Sequence, residues 1–171
     1  MNKYFILIII VLAAVTRLIP HPPNFTPLIA MGLFGGAYIQ NRSLAMLIPI
    51  SAMFLSDLFL GFHGTVYFVY GSLLLVTILG IIFINKITIT NCTVAVLSSS
   101  FLFFISTNLG VWLTSSYYPK NIEGILACYT MALPFFGNTL AGTLLYSSIM
   151  FGGYELLKRS VAQSEPESIY K

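Results

Sequence analysis

Apolar residues run along this chain in long blocks, and polar residues gather in short clusters between them. Six blocks stand out: Tyr4–Pro20, Pro27–Gln40, Ser43–Leu60, Thr65–Ile84, Asn91–Leu113 and Pro134–Leu157. Crossing the ~30 Å hydrocarbon layer of a bilayer takes about 20 apolar residues in a helix. The blocks are filled with Leu, Ile, Phe, Ala and Gly and lack the every-other-residue pattern of a barrel strand, so they predict transmembrane helices. Pro49, inside the third block, predicts a kink, because its ring removes a backbone donor. The stretch Ile122–Leu157 is too long for one crossing. Pro134 predicts its division into an interfacial or re-entrant piece followed by a true span.

The second block is short enough to be re-entrant, and charge arbitrates. With six crossings and the N-terminus inside, the cytoplasmic side receives Lys3, Arg42, Lys86, Lys158, Arg159 and Lys171, and the outside only Arg17 and Lys120. If the second block did not cross, five of those inside cations would move out, against the positive-inside rule. The expected fold class is therefore all-α: a compact bundle of six transmembrane helices over residues 1–160. Both termini are cytoplasmic, and a short polar, frayed tail follows over 161–171.

Composition agrees with the pattern. The 171 residues are 57% hydrophobic and only 8% charged, with a mean hydropathy of +0.90, whereas a soluble domain carries about 25% charge. The net charge of +3 reports topology and implies no nucleic-acid partner. The basic start at Lys3 and the apolar run behind it resemble a signal peptide. No small-x-small cleavage site precedes Arg17, so the segment reads as a retained first span. The two cysteines, Cys92 and Cys128, fall near opposite membrane faces, out of reach of a disulfide.

Candidate chemistry collects on one side. The inner connections are terse. The outer ones hold Arg17, His21, Asn24 and Phe25 among four prolines, then Ser56-Asp57 and Gly61-Phe62-His63, then Asn108, Trp112 and Tyr117-Tyr118. Loops of that kind on a rigid scaffold commonly form binding sites. Arg17 and Asp57 read either as a structural ion pair or as a carboxylate-holding Arg oriented by Asp57. Arg17 could also snorkel to the interface. His21 and His63 read as ligand hydrogen-bonders or as ordinary interfacial side chains, Asn24 and Asn108 as ligand contacts or helix caps. Trp112 and both tyrosines fit an aromatic belt. His21, Asp57 and His63 could make a two-His, one-carboxylate metal site, but no spacing enforces it. No catalytic or phosphate-binding motif occurs and no cofactor is implied. No row of ionisable residues suggests a self-powered pump. The small-residue motifs Gly32-x-x-x-Gly36 and Gly137-x-x-x-Ala141 predict close helix packing.

The motif Arg17-x-x-Pro20-His21-Pro22-Pro23-Asn24-Phe25-Thr26-Pro27, with Ser56-Asp57, Asn108-x-x-x-Trp112 and Pro134-Phe135-Phe136-x-Asn138-Thr139, resembles a family of small bacterial membrane proteins of unknown function (DUF6580-like). More remotely, size, span count and loaded outer loops look like the substrate-capture subunits (S-components) of energy-coupling factor transporters. That likeness implies a vitamin-like solute bound under the first loop and a transmembrane coupling subunit with ATPases as partner. The chain departs from the group at Ala13-Ala14, where Arg17 replaces the second Ala of an Ala-x-x-x-Ala docking face. The expected function is small-solute binding and uptake in the bacterial cytoplasmic membrane, with membrane lipid as surroundings. The expected ligand contacts are Arg17, His21, Asn24, Phe25, Asp57, His63, Asn108, Trp112 and Asn138. A membrane-embedded enzyme using Arg17, His21, Asp57 and His63, or a structural membrane subunit, is the alternative. The four prolines predict a stiff, extended first loop with Phe25 as a plug pointing into the bundle.

Overall fold

The computed structural model describes residues 3–62 and 64–164. Helix α1 (Lys3–Val15) runs on through one 3-10 turn, Thr16–Leu18. It is followed by α2 (Leu28–Tyr38), α3 (Arg42–Leu60), α4 (Val66–Phe83), α5 (Ile89–Thr114) and α6 (Ile122–Ser147). A π turn, Ser148–Gly152, joins α6 to α7 (Gly153–Ser164), so one apolar rod extends over Ile122–Val161. The described residues thus form six helical rods and no strand. Four rods are long and apolar enough to cross a membrane, while Tyr4–Leu18 and Leu28–Tyr38 are shorter apolar helices.

Contacts fix which helix ends lie together. Phe5 packs on Tyr154 with ring centroids 6.2 Å apart, and the Tyr38 hydroxyl donates to Glu155 at 2.7 Å. One end of the bundle therefore holds the start of α1, the end of α2 and α7. At the other end Arg17 meets Asp57 at 3.0 Å, and the Phe68 ring covers Gly110. That end gathers the 3-10 turn, the last turns of α3 and α5 and the start of α4.

The polarity is inverted relative to a soluble protein. Phe59, Tyr67, Ile89 and Ile122 are largely exposed, whereas Ser72, Thr77, Ser99, Ser100 and Thr143 are buried. Apolar side chains on the outside lose nothing against lipid tails, and hydroxyls are tolerated inside because they can bond the backbone of their own helix. Ser72 donates to the Phe68 carbonyl, Thr77 to Leu73 and Thr143 to Thr139.

Helix α2 is the axis of the bundle, with nine of its eleven residues buried. It packs most extensively on α4, and glycine makes that possible. A Cβ added at Gly36 would run into the Thr77 carbonyl, and one at Gly80 would sit 2.7 Å from the Leu33 carbonyl oxygen. The two backbones therefore touch with no side chain between them, as the first small-residue motif predicts. Gly35 leaves space for the Pro49 ring, 3.2 Å from where its Cβ would be. Helix α3 runs unbroken through that proline.

Several expectations change. Pro134 does not divide its stretch: α6 passes through it as one helix. The Pro134 side chain is exposed, and the lost backbone donor is absorbed within the helix. Gly137 and Ala141 are exposed, with open space around Gly137, and only Gly142 of that motif makes a close approach. Asn24 and Asn108 are not helix caps. Asn41, Thr88 and Asn121 do that work, accepting from the backbone N–H of Leu44, Asn91 and Gly124. The chain after Leu157 stays helical to Ser164, and residues 165–171 of the expected tail lie outside the described residues. Cys92 and Cys128 are both free.

Gly36→Ala should lower the thermal stability of the detergent-solubilised protein, because overpacking of this kind typically costs about 1–3 kcal/mol. Gly137→Ala, which meets open space, should leave the unfolding temperature unchanged within about 0.5 kcal/mol. Equal behaviour of the two variants would contradict backbone contact between α2 and α4.

Candidate functional site

The two charges singled out in the sequence form one buried cluster. Arg17 Nη2 donates to Asp57 Oδ1 at 3.0 Å, and Arg17 Nη1 donates to Ser56 Oγ and to the Met53 carbonyl. The Tyr70 hydroxyl donates to the other carboxylate oxygen at 2.9 Å. Asp57 is 1% exposed and the Arg17 side chain 10%. A carboxylate so enclosed would be costly alone, and a guanidinium with a phenol supplies the compensation. The cluster ties the 3-10 turn after α1 to α3 and α4. Arg17 Nε remains buried without a partner.

Beside this cluster, over the start of α2, lies a cavity of about 330 Å³. Its floor is Leu28 and Ile29, and Arg17 and Met53 line one side. Helix α4 contributes Thr65 and Val69, and α5 a stripe of Phe103, Phe104, Thr107, Asn108 and Val111. Thr139 of α6 and Asn24 and Thr26 of the first loop complete the wall. The volume falls at the small end of the range for small-molecule sites. The Thr107 and Thr139 hydroxyls donate to the carbonyls four residues back, so each turns lone pairs to the cavity as an acceptor. Asn108 donates one amide hydrogen to Phe104, which leaves a donor and an acceptor on the same side chain.

The first loop forms the cavity wall next to α6 and is held there. Asn138 Nδ2 donates to the Pro23 carbonyl at 3.0 Å, and the loop backbone at Phe25 lies against Gly142. The loop is not extended throughout. The Phe25 N–H bonds the Pro22 carbonyl, and Asn24 takes φ = 63°, a left-handed conformation that asparagine tolerates better than most residues. Phe25 packs against Tyr146, with centroids 6.0 Å apart, and does not line the cavity. It anchors the loop to α6 and is no plug.

The expected contacts therefore separate. Arg17, Asn24 and Asn108 line the cavity. Asp57 sits behind Arg17, and Asn138 and Phe25 position the loop. His21 is exposed and its Nδ1 donates to the Pro22 carbonyl. Trp112 Nε1 donates to the Pro119 carbonyl at 3.0 Å, and the Lys120 ammonium lies 5.6 Å from its ring centre, so this side chain fastens the α5–α6 turn. His63 lies outside the described residues. The sequence reading missed Thr26, Thr107 and Thr139, and that Phe103, Phe104 and Val111 line the cavity in one stripe with Asn108. The spacing of that stripe along one helix face could have disclosed it.

A groove of similar volume, about 340 Å³, lies at the opposite end between the start of α5 and the α6–α7 rod. Ile87, Ile89 and Leu144 in its wall are themselves exposed. Thr88, Thr93, Glu155 and Arg159 also line it.

A family model described as a family of unknown function (DUF6580) matches residues 1–165. The chain belongs to this family. No curated protein and no solved structure matches it. Membership carries no activity with it, so the cavity and its polar groups bear the functional argument.

Arg17→Ala should destabilise the protein by about 3–5 kcal/mol, because it strands the Asp57 carboxylate in the interior. The double variant Arg17→Ala/Asp57→Ala should recover part of that loss in detergent unfolding. A double variant no more stable than Arg17→Ala would mean that the carboxylate was never desolvated.

Proposed function

We propose that this protein spans the bacterial cytoplasmic membrane six times, with both termini inside, and captures a small solute at its outer face for uptake. The observation that carries the reading is the 330 Å³ cavity over the start of α2, with its mixed amide, hydroxyl and aromatic lining. Support for the topology comes from charge. Among the described residues, Lys3, Arg42, Lys86, Lys158 and Arg159 belong to helix ends opposite the cavity, and only Arg17 and Lys120 to the cavity end. The positive-inside rule then orients the cavity outward. The two short helices cross together with the segments that extend them, the 3-10 turn after α1 and the first loop before α2.

Uptake needs an energy source, and the chain has no row of ionisable groups through its helices to provide one. A transmembrane coupling subunit with ATPases fits that need, as in the transporter subunits that the chain resembles in size, helix number and loop asymmetry. Ala13 and Ala14 are buried in the core, so such a partner would dock on another face. The enzyme reading has less support. Asp57 is sealed and paired, and His21 bonds its own loop.

Two measurements test this proposal. With Cys128 replaced by Ser, Asn121→Cys should label with an impermeant thiol reagent in intact cells, and Asn41→Cys and Asn85→Cys should not. Labelling at Asn41→Cys would overturn the six-span topology. Mass spectrometry of the detergent-purified protein should detect a co-purifying solute that is lost in Val69→Trp, whose side chain fills the cavity. A solute retained by that variant would lie elsewhere, and the cavity would not be the capture site.

A further inference from the structure

The polar lining of the cavity says what class of solute it suits, and this inference rests on the cavity being the capture site. Among the described residues, the one charged side chain that lines it is Arg17. Its charge is already matched by Asp57 at 3.0 Å, and the Asp57 carboxylate is further held by Tyr70. The pair leaves the site close to electrically neutral. An anion entering this cavity would meet Arg17 and, directly behind it, the opposing charge of Asp57. A cation would meet the guanidinium first. Either would shed water without a free counter-charge to replace it, a cost that a neutral solute does not carry.

The remaining groups are donors and acceptors without charge. The start of α2 forms the floor through Leu28 and Ile29. Unlike the starts of α3, α5 and α6, it has no side-chain cap. The first N–H groups of a helix have no acceptor within it, so they are available to one from outside. Arg17 adds an unpartnered Nε on a side chain nine-tenths buried. Around them, Thr107 and Thr139 present lone pairs, and Asn108 presents both kinds of group. Phe103 and Phe104 supply an apolar wall for a flat ring. The donors near the floor ask for an acceptor. The threonine oxygens on the walls ask for an N–H or O–H close by.

We infer that the cavity takes an uncharged solute carrying a carbonyl acceptor beside an N–H or O–H donor on a flat apolar body, in the manner of a primary or cyclic amide. Its carbonyl sits toward the uncapped start of α2 and its donor toward Thr107, Asn108 and Thr139. A carboxylate of the same shape offers two acceptors, no donor and an unmatched charge. An amidinium offers donors only.

Three probes of one shape isolate the chemistry: benzamide, benzoate and benzamidinium. Each is titrated at neutral pH by calorimetry into the full chain in detergent and into Val69→Trp. Benzamide should bind the wild type about ten-fold or more tightly than either charged analogue, and Val69→Trp should abolish its binding. Asn108→Leu should weaken benzamide by about ten-fold while leaving the unfolding temperature unchanged. Tighter binding of benzoate or benzamidinium, lost in Val69→Trp, would overturn the neutral amide class and leave the capture site standing. Binding of any probe that survives Val69→Trp, or no binding by any of the three, would overturn both.

Discussion

An eleven-residue helix cannot reach across a bilayer, and the rest of this structure follows from having one at its centre. Helix α2 rises about 16 Å, roughly half of the ~30 Å hydrocarbon layer. Backbone outside a helix is tolerated at that depth only where protein surrounds it or a cavity hydrates it. In this structure protein encloses only the last part of that backbone, Phe25 to Pro27, next to the start of α2. The proline-rich first loop, which lacks several N–H groups by composition, is exposed over residues 20–24, and its end at Phe25 and Thr26 turns in against Gly142 of α6. The space left over α2 becomes the cavity. A twenty-residue helix in the same place would have filled that column and left no site.

The second consequence is electrostatic. Ending α1 in a 3-10 turn brings Arg17 against the last turns of α3, where Asp57 is 1% exposed. A lone cation in that position would carry a strong field into the cavity. Pairing removes most of it while keeping a rigid donor group in the wall, so Arg17 fastens three elements together and leaves the site close to neutral. The Tyr70 hydroxyl on the far carboxylate oxygen holds the pair in one orientation. Arg17 is therefore a structural residue that also sets the charge of the space beside it.

Much of this was legible in the sequence because the bilayer imposes long, simple patterns. The helical blocks, the close approach through Gly32 and Gly36 and the pairing of Arg17 with Asp57 all rest on composition or on the cost of burying charge. The division at Pro134 failed because a long helix can absorb the loss of one backbone hydrogen bond by local adjustment and continue. The cap assignments failed for a different reason. Asn24 and Asn108 look like caps by type, but a cap is defined by the residue that follows, and Asn41, Thr88 and Asn121 stand where helices begin. Phe25 was misjudged because the direction of a loop side chain depends on Gly142 and Tyr146, more than a hundred residues away. The cavity-lining threonines gave little signal of their own, since a hydroxyl bonded to its own helix resembles any other buried threonine.

The walls of the cavity differ in how firmly they are held. Helices α2 and α4 touch backbone to backbone at Gly36 and Gly80, and separating them would expose long stretches of packed chain at once. The first loop is held to α6 by one amide hydrogen bond from Asn138 and by the contact of Phe25 with Tyr146. A neutral hydrogen bond contributes about 0.5–1.5 kcal/mol and an aromatic pair about as much again beyond its buried area. A wall fastened at that level, together with the packing of its backbone at Gly142, is easier to displace than the α2–α4 contact. The prolines keep the displaced loop from gaining much disorder, so it closes again without a large entropic penalty. The compliant wall is thus the segment that leads into the short central helix, and the same constraint that leaves room for the cavity also gives it its least firmly held side.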